Sequence, residues 1–109
     1  MPTDREVIRA PHAALQQRFR ALVHEASHRA RAEGRRFSLA IPGGSVVTHL
    51  LSVLRVEDAD WGATDVFWCD ERAVAPTHPD SNYGASMHGW LASLAGIGVR
   101  THRMEGEAS

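Results

Sequence analysis

Hydrophobic residues recur along the chain with two different spacings, and each spacing predicts a type of element. After Pro11 they follow steps of three and four, which predicts a helix with one apolar face made by Leu15, Phe19, Leu22, Val23, Ala26 and Ala30. Pro11 suits the first turn of this helix because its missing N–H is not needed there, and Gly34 suits its end. Residues 1–10 form a short polar lead.

Two short, mainly apolar runs, residues 37–41 and 66–69, predict buried strands. Helical spacing returns between them at Val46, Val47, Leu50, Leu51 and Leu54, before a polar connector at 55–64. A polar loop at 70–79 follows the second strand. A third helix follows, with Asp80 or Ser81 as its cap, an end near Gly96 and Gly98, and an apolar side made by Met87, Trp90, Leu91 and Leu94. Residues 99–102 predict a third strand.

The order of strand, helix and strand predicts a right-handed βαβ unit with parallel strands. We therefore expect an α/β fold: an open, mainly parallel, Rossmann-like sheet with flanking helices, incomplete at its C-terminal side. The chain has no internal repeat and no interdomain linker, so residues 1–109 are expected to belong to a single domain.

The composition narrows the class of protein. Hydrophobic residues are 43% and charged residues 23%, which is typical of a globular protein. A net charge of -1 argues against a strongly basic nucleic-acid binder, so the arginines at 29, 31, 35 and 36 are interpreted as compensating a helix dipole on a solvated face. One cysteine excludes an intrachain disulfide and favours a reducing, cytoplasmic setting. The N-terminus is too polar for a secretory signal, and no apolar run is long enough for a bilayer, so no membrane partner is expected.

Gly43, Gly44 and Ser45 lie between the first strand and the next helix, at the carboxyl end of a strand, where ligands bind in parallel α/β sheets. Glycines let the backbone approach an anion, and Ser45 adds a hydroxyl donor. A plain tight turn is the commoner use of such glycines. A Walker loop is excluded, because the chain has no lysine and every cation is an arginine.

Asp70, Glu71 and Arg72 directly follow the second strand and would lie beside the glycine loop if the strands are neighbours. Asp70 could accept a proton or bind a sugar hydroxyl, and Arg72 could hold a phosphate with two hydrogen bonds. The alternative is a solvated loop with a local ion pair. The residues at 80–83 are interpreted as a helix cap and a packed tyrosine, with Asn82 helping to hold the preceding loop.

The remaining candidates are weaker. His24 and His28 share a helix face, but no third metal ligand is indicated by spacing. His49 is interpreted as a helix-face residue, His78 as a loop residue within reach of a ligand, and Cys69 as a buried strand residue.

Taken in order, the Gly-Gly-Ser loop, the Asp70-Glu-Arg-Ala-Val74 segment, the Asp80-Ser-Asn-Tyr83 segment and His102-Arg-Met-Glu-Gly-Glu107 resemble the N-terminal half of 6-phosphogluconolactonase, within the sugar-phosphate isomerase and deaminase-like superfamily. The resemblance implies a hydrolase of carbohydrate metabolism that converts 6-phosphogluconolactone to 6-phosphogluconate in the oxidative pentose phosphate pathway, with no metal or organic cofactor. It also implies that Gly43, Gly44 and Ser45 help to bind the phosphosugar lactone. Asp70 and Arg72 would be active-site residues, with Arg72 on the phosphate.

The chain departs from the family pattern in two places. Val46 and Val47 stand where Thr-Pro is common, and no histidine here lies in the Gly-Asp-Gly-His type of segment that carries the family's general base. Two alternatives stay open: a glucosamine-6-phosphate deaminase-like isomerase with Asp70 as base, and a non-catalytic module that binds a sugar phosphate or a partner chain. An unpaired sheet edge is expected to promote self-association.

Overall fold

A parallel sheet organises the structure, a computed structural model that describes residues 11–108 apart from the side chain of Ala95. Its strands are β1 (Phe37–Ile41), β2 (Thr64–Trp68) and β3 (Arg100–His102), in the order β1-β2-β3. The register pairs Phe37 with Thr64 and Ile41 with Trp68, and Phe67 with His102 across the other boundary. The predicted α/β class and the parallel pairing of the first two strands are confirmed.

Helices connect and cover these strands. They are α1 (His12–Ala32), α2 (Ser45–His49) and α3 (Asn82–Gly89), with 3-10 segments at Leu51–Val53, Val56–Asp58, Trp61–Ala63 and Leu91–Ile97. The Pro11 carbonyl accepts the N–H of Leu15, which starts α1 as predicted, and Gly34 follows its end with φ of 69°. The predicted polar lead at 1–10 lies outside the described residues.

The core lies on one face of the sheet. Alternate strand residues point into it, and the main contributors are Phe37, Ile41, Val66 and Trp68 from the strands with Val23, Ala30, Val47, Leu51, Leu54, Trp61, Trp90, Leu91 and Leu94 from elsewhere. The opposite face carries Ser38, Ala40, Phe67, Arg100 and His102, all exposed. Phe67 is 40% exposed although it occupies the centre of a strand.

The second predicted helix is shorter than expected. Its apolar positions run to Leu54, yet α2 ends at His49 and the chain continues as a 3-10 turn. The α2 sequence Ser-Val-Val-Thr-His consists of residues with modest helix propensity, three of them β-branched. The third helix is also divided: α3 stops at Gly89, and a 3-10 segment containing Gly96 runs on to Gly98, whose φ of 95° ends it.

Three side chains lie elsewhere than predicted. Leu22 is 41% exposed because the buried line of α1 passes through Val23, Ser27 and Ala30 instead. Cys69 is exposed because β2 ends at Trp68 and strand alternation turns the next side chain away from the core. The connector at 55–64 holds the buried Trp61, whose Nε1–H donates to the Arg55 carbonyl at 2.9 Å.

The arginines near the end of α1 have acidic neighbours in the chain itself. Arg36 Nε donates to Asp65 at 2.6 Å, Arg35 Nε donates to Glu33 at 2.7 Å, and Arg31 lies 3.7 Å from Asp60. Between residues 11 and 108, no helix is both long and apolar enough to cross a membrane.

Candidate functional site

The carboxyl ends of β1 and β2 bring the two predicted loops together. Ile41 is the register partner of Trp68, and the Cys69 N–H donates to the Ile41 carbonyl at 2.8 Å. The glycine loop and the Asp-Glu-Arg segment therefore leave the sheet side by side, as predicted from parallel pairing.

Asn82, the first residue of α3, joins these two loops. Its Nδ2 donates to Asp70 Oδ1 at 2.9 Å and to the Asp70 carbonyl at 3.2 Å, which confirms that Asn82 holds the preceding loop. The same carboxamide lies against Gly43, where a Cβ would overlap Asn82 Oδ1. Gly43 is thus required so that α3 can reach Asp70. Gly44, with φ of 71°, then turns the chain into α2.

Glu71 points inward to the start of α3. Its Oε1 accepts the backbone N–H groups of Arg72 at 2.8 Å and Asn82 at 2.7 Å, while Oε2 accepts the Ser81 hydroxyl at 2.9 Å and the Tyr83 N–H at 3.1 Å. Ser81 Oγ in turn accepts the Gly84 N–H, so Ser81 is the helix cap, as predicted. Tyr83 packs on Trp68 with 5.0 Å between ring centroids, which confirms its structural role.

These contacts set the charge of Glu71. Burial by itself would raise the pKa of its carboxyl, but the hydrogen bonds from three backbone N–H groups and one hydroxyl outweigh burial, and the pKa lies below its ordinary value. Glu71 is therefore an ionised carboxylate, and its negative charge is stabilised by backbone N–H donors and by the helix dipole.

Arg72 is left with its side chain exposed. Its backbone N–H is held by Glu71, yet within residues 11–108 its guanidinium forms no hydrogen bond or ion pair. The local Glu-Arg ion pair considered from the sequence is absent here because Glu71 faces the other way. Gly106 packs on this segment from the other side, where a Cβ would overlap the Arg72 carbonyl oxygen. Two 2.9 Å hydrogen bonds between Arg103 and Glu107 hold the turn around Gly106.

A cleft of about 330 Å³ lies where these loops meet. We call it the Arg72 cleft, and it is lined by Gly44, Arg72, Pro79, Asp80, Ser81, Asn82 and Ala85. Asp70 is connected to it through Asn82. Ser45 instead lines a neighbouring cavity of about 450 Å³, together with His12, Leu15, Val46, His49 and Leu50. The structure thus brings Gly44, Asp70 and Arg72 to one place and turns Ser45 to another.

Two residues of this site lie in segments that the sequence singled out, but their roles were not predicted. Glu71 gives no periodic signal, although a carboxylate near a helix start is a known stabilising pattern. Gly106 is distant in sequence, and only the packing shows that Arg72 needs a glycine opposite it.

The candidate histidines contact other side chains or the backbone. His78 Nδ1 accepts the Asp80 N–H at 3.0 Å, His49 packs edge-on with His12 at 5.3 Å, and His24 stacks on His28 at 6.4 Å. Across the residues that the structure describes, no three His, Cys, Asp or Glu side chains gather in a way that could hold a metal ion.

Comparison with known proteins identifies similar sequences. The model of the family described as glucosamine-6-phosphate isomerases/6-phosphogluconolactonase matches residues 10–109. A 6-phosphogluconolactonase of Nostoc sp. is 41% identical over 56 residues, covering 51% of this chain and 23% of that protein. A probable chloroplastic 6-phosphogluconolactonase 4 of Oryza sativa subsp. indica is 33% identical over 73 residues, covering 64% of this chain and 22% of that protein.

Solved structures show the same fold. The crystal structure of a 6-phosphogluconolactonase from Shewanella baltica superposes with a TM-score of 0.75 at 23% identity, covering 91% of this chain and 42% of that one. The crystal structure described as devB protein superposes with a TM-score of 0.67 at the same identity and coverage. The matched part is thus less than half of either solved chain and about a quarter of the curated relatives' length.

Proposed function

This chain belongs to the glucosamine-6-phosphate isomerase/6-phosphogluconolactonase family, and we propose that it forms the phosphate-binding part of a site that hydrolyses 6-phosphogluconolactone to 6-phosphogluconate. The reaction would serve the oxidative pentose phosphate pathway. We also propose that residues 1–109 are the N-terminal half of one such domain, because they cover 42% of the related solved chains.

The exposed Arg72 guanidinium carries this proposal. It lines a cleft beside Gly44 and, among residues 11–108, has no carboxylate partner of its own. A guanidinium binds a phosphate through two parallel hydrogen bonds, and an unpaired one loses no existing ion pair when it does so. Glu71 and Gly106 contact the Arg72 backbone, and Asn82 holds the neighbouring Asp70, while the Arg72 side chain stays available.

The reaction assigns a role to each of the other residues. Water attacks the lactone carbonyl, an oxyanion forms, and the ring C–O bond breaks as the proton passes to the leaving oxygen. Gly43 and Gly44 offer close backbone approach to the substrate, and Asp70, oriented by Asn82, accepts a hydrogen bond from a sugar hydroxyl. Ser45 enters this scheme only through the backbone of the glycine loop, because its side chain lines the neighbouring cavity.

The general base is assigned to no residue of this chain, since none of the seven histidines stands in a Gly-Asp-Gly-His segment. The proposal includes no cofactor. The reducing setting suggested by the single cysteine supports a cytoplasmic location as part of the same proposal.

Binding of 6-phosphogluconate tests the assignment of Arg72. Trp68 adjoins the site through Tyr83, so tryptophan fluorescence should report a saturable titration of the 109-residue chain. Arg72→Ala removes the charged hydrogen bonds to phosphate and should weaken binding by about tenfold to a hundredfold. Arg100→Ala, an exposed arginine on β3, is the matched control and should bind like the parent chain. Equal affinity of Arg72→Ala and the parent would contradict the proposal.

The relatives named above are lactonases, which favours the lactone over an amino-sugar phosphate. Coupled assays with 6-phosphogluconolactone and glucosamine 6-phosphate distinguish the two reactions. Turnover of the second substrate alone would replace the lactonase assignment by a deaminase with Asp70 as base.

A further inference from the structure

We propose that Glu71 is the positioning residue that holds Arg72 ready for the phosphate, an inference that rests on the proposed function of the Arg72 cleft. Glu71 itself touches no substrate in this proposal. It acts through the backbone of Arg72, which it ties to the start of α3.

The geometry makes this tie specific. Each carboxylate oxygen of Glu71 accepts two hydrogen bonds, one pair from Arg72 and Asn82 and the other from Ser81 and Tyr83. The donors come both from the loop that carries Arg72 and from the first turn of α3. A single side chain therefore couples the loop to α3. This helix is in turn held to the sheet, because Trp68 Nε1–H on β2 donates to Ser86 Oγ on α3 at 3.1 Å.

The inward orientation of Glu71 also keeps one carboxylate out of the Arg72 cleft, whose lining includes Asp80 as its acidic residue. A carboxylate next in sequence to Arg72 would be its nearest partner if it turned outward, and it would then compete with a bound phosphate. With four hydrogen bonds satisfied inside, Glu71 leaves the guanidinium to the ligand. The same contacts occupy the Asn82 and Tyr83 N–H groups, so the start of α3 is not available to the phosphate and Arg72 must supply the contact.

Replacement by glutamine should break the arrangement although it keeps the shape. A carboxamide has one oxygen and one NH₂ group, whereas all four partners of Glu71 donate. In one orientation the NH₂ faces the N–H groups of Arg72 and Asn82. In the other it faces the Tyr83 N–H, and only the Ser81 hydroxyl can rotate to accept.

The test compares 6-phosphogluconate affinities of the parent chain, Glu71→Gln, Glu71→Asp, Arg72→Ala and the control Glu25→Gln, an exposed glutamate on α1. Melting curves recorded by circular dichroism identify a temperature at which every variant is folded, and the affinities are measured at that temperature. Glu71→Gln should displace Arg72 by up to about an ångström, and its affinity for 6-phosphogluconate should therefore fall by about tenfold or more. Glu71→Asp keeps the charge and should recover part of that loss, while Glu25→Gln should bind like the parent.

Amide hydrogen exchange supplies a second measurement on the same variants. The Arg72, Asn82 and Tyr83 amides should lose protection in Glu71→Gln, while the Gly84 amide, held by Ser81, should keep it. A purely structural role would lower the melting temperature and leave the affinity of the folded chain unchanged.

The outcomes separate the two proposals. If Arg72→Ala weakens binding but both Glu71 variants bind like the parent, the positioning role is wrong and the proposed function stands. If Glu71→Gln does not fold, Glu71→Asp decides by the same criterion. If the parent chain shows no phosphate-dependent binding, or if Arg72→Ala binds as tightly as the parent, the proposed function fails and the positioning role fails with it.

Discussion

Individual residues of the site are constrained by what packs against them more than by their own chemistry. A methyl group at Gly43 would overlap Asn82 Oδ1, and a methyl group at Gly106 would overlap the Arg72 carbonyl oxygen. Neither glycine has a positive φ. Their role is steric, which differs from that of Gly44, whose φ of 71° favours glycine on conformational grounds.

Substituting Gly43→Ala should therefore destabilise the chain and disturb the cleft. The new methyl group must displace an Asn82 side chain that is buried and hydrogen-bonded to Asp70, and overpacking of this kind costs about 1–3 kcal/mol. Urea unfolding gives the free energy, and the fluorescence titration gives the affinity for 6-phosphogluconate, which should fall as well.

Gly96→Ala is the matched control for this substitution, since a Cβ there meets nothing within 4 Å and its φ is not positive. Its free energy of unfolding should stay within about 0.5 kcal/mol of the parent. Parent-like stability and affinity in Gly43→Ala would show that Asn82 moves freely and that it does not join the two loops.

At the scale of the element, α3 works as an anchor for the loop that precedes it. Its first turn receives Ser81 as cap and Glu71 as a second acceptor, and its later turn is fixed to the sheet by the hydrogen bond between Trp68 and Ser86. The charge of Glu71 is part of this anchor, so the attachment of the loop should depend on pH.

The direction of this pH dependence follows from the lowered pKa of Glu71. The unfolded chain binds a proton near the ordinary value of 4.5, and the folded chain binds it only at lower pH. The stabilisation from Glu71 is therefore fully present above that value and is lost as pH falls through the folded-state pKa. Urea unfolding between neutral and acidic pH should show a loss of free energy that is smaller in Glu71→Gln. An identical acid dependence in both chains would contradict the assignment of this carboxylate as the anchor.

At the scale of the whole molecule, none of the helices described between residues 11 and 108 covers one face of the sheet. Parallel sheets usually have helices on both faces, yet the exposed face here carries Phe67, stacked on His102 with 4.6 Å between ring centroids. Within residues 11–108, β1 and β3 each have one strand neighbour, so both also present an open edge.

We therefore expect the 109-residue chain to self-associate, with a sedimentation-average mass that rises with protein concentration. Phe67→Ser should reduce this rise, because it removes the largest apolar group from the open face. Val56→Ser is the matched control, since Val56 is 57% exposed but lies off the sheet. A constant monomer mass over a wide concentration range would show that the open face and edges attract no second copy.

Much of this arrangement could be predicted from local pattern. Short apolar runs of four and five residues predicted the strands, and their carboxyl ends located Gly43, Gly44, Asp70 and Arg72 because parallel pairing brings those ends together. Helix lengths were less predictable. Apolar spacing continues beyond α2 and α3, but weak propensity and the backbone turn at Trp90 end both helices early.

The sequence by itself determined the order of elements, the class of fold and the position of a cation after β2, because these follow from short-range periodicity and from the residue types present. The tertiary structure alone decided that Glu71 turns inward, that Asn82 spans two loops, that Gly106 supports Arg72 and that Ser45 faces another cavity. Those outcomes depend on contacts between residues far apart in the chain, where hydrogen-bond donors and free space become available only after the sheet and α3 have come together.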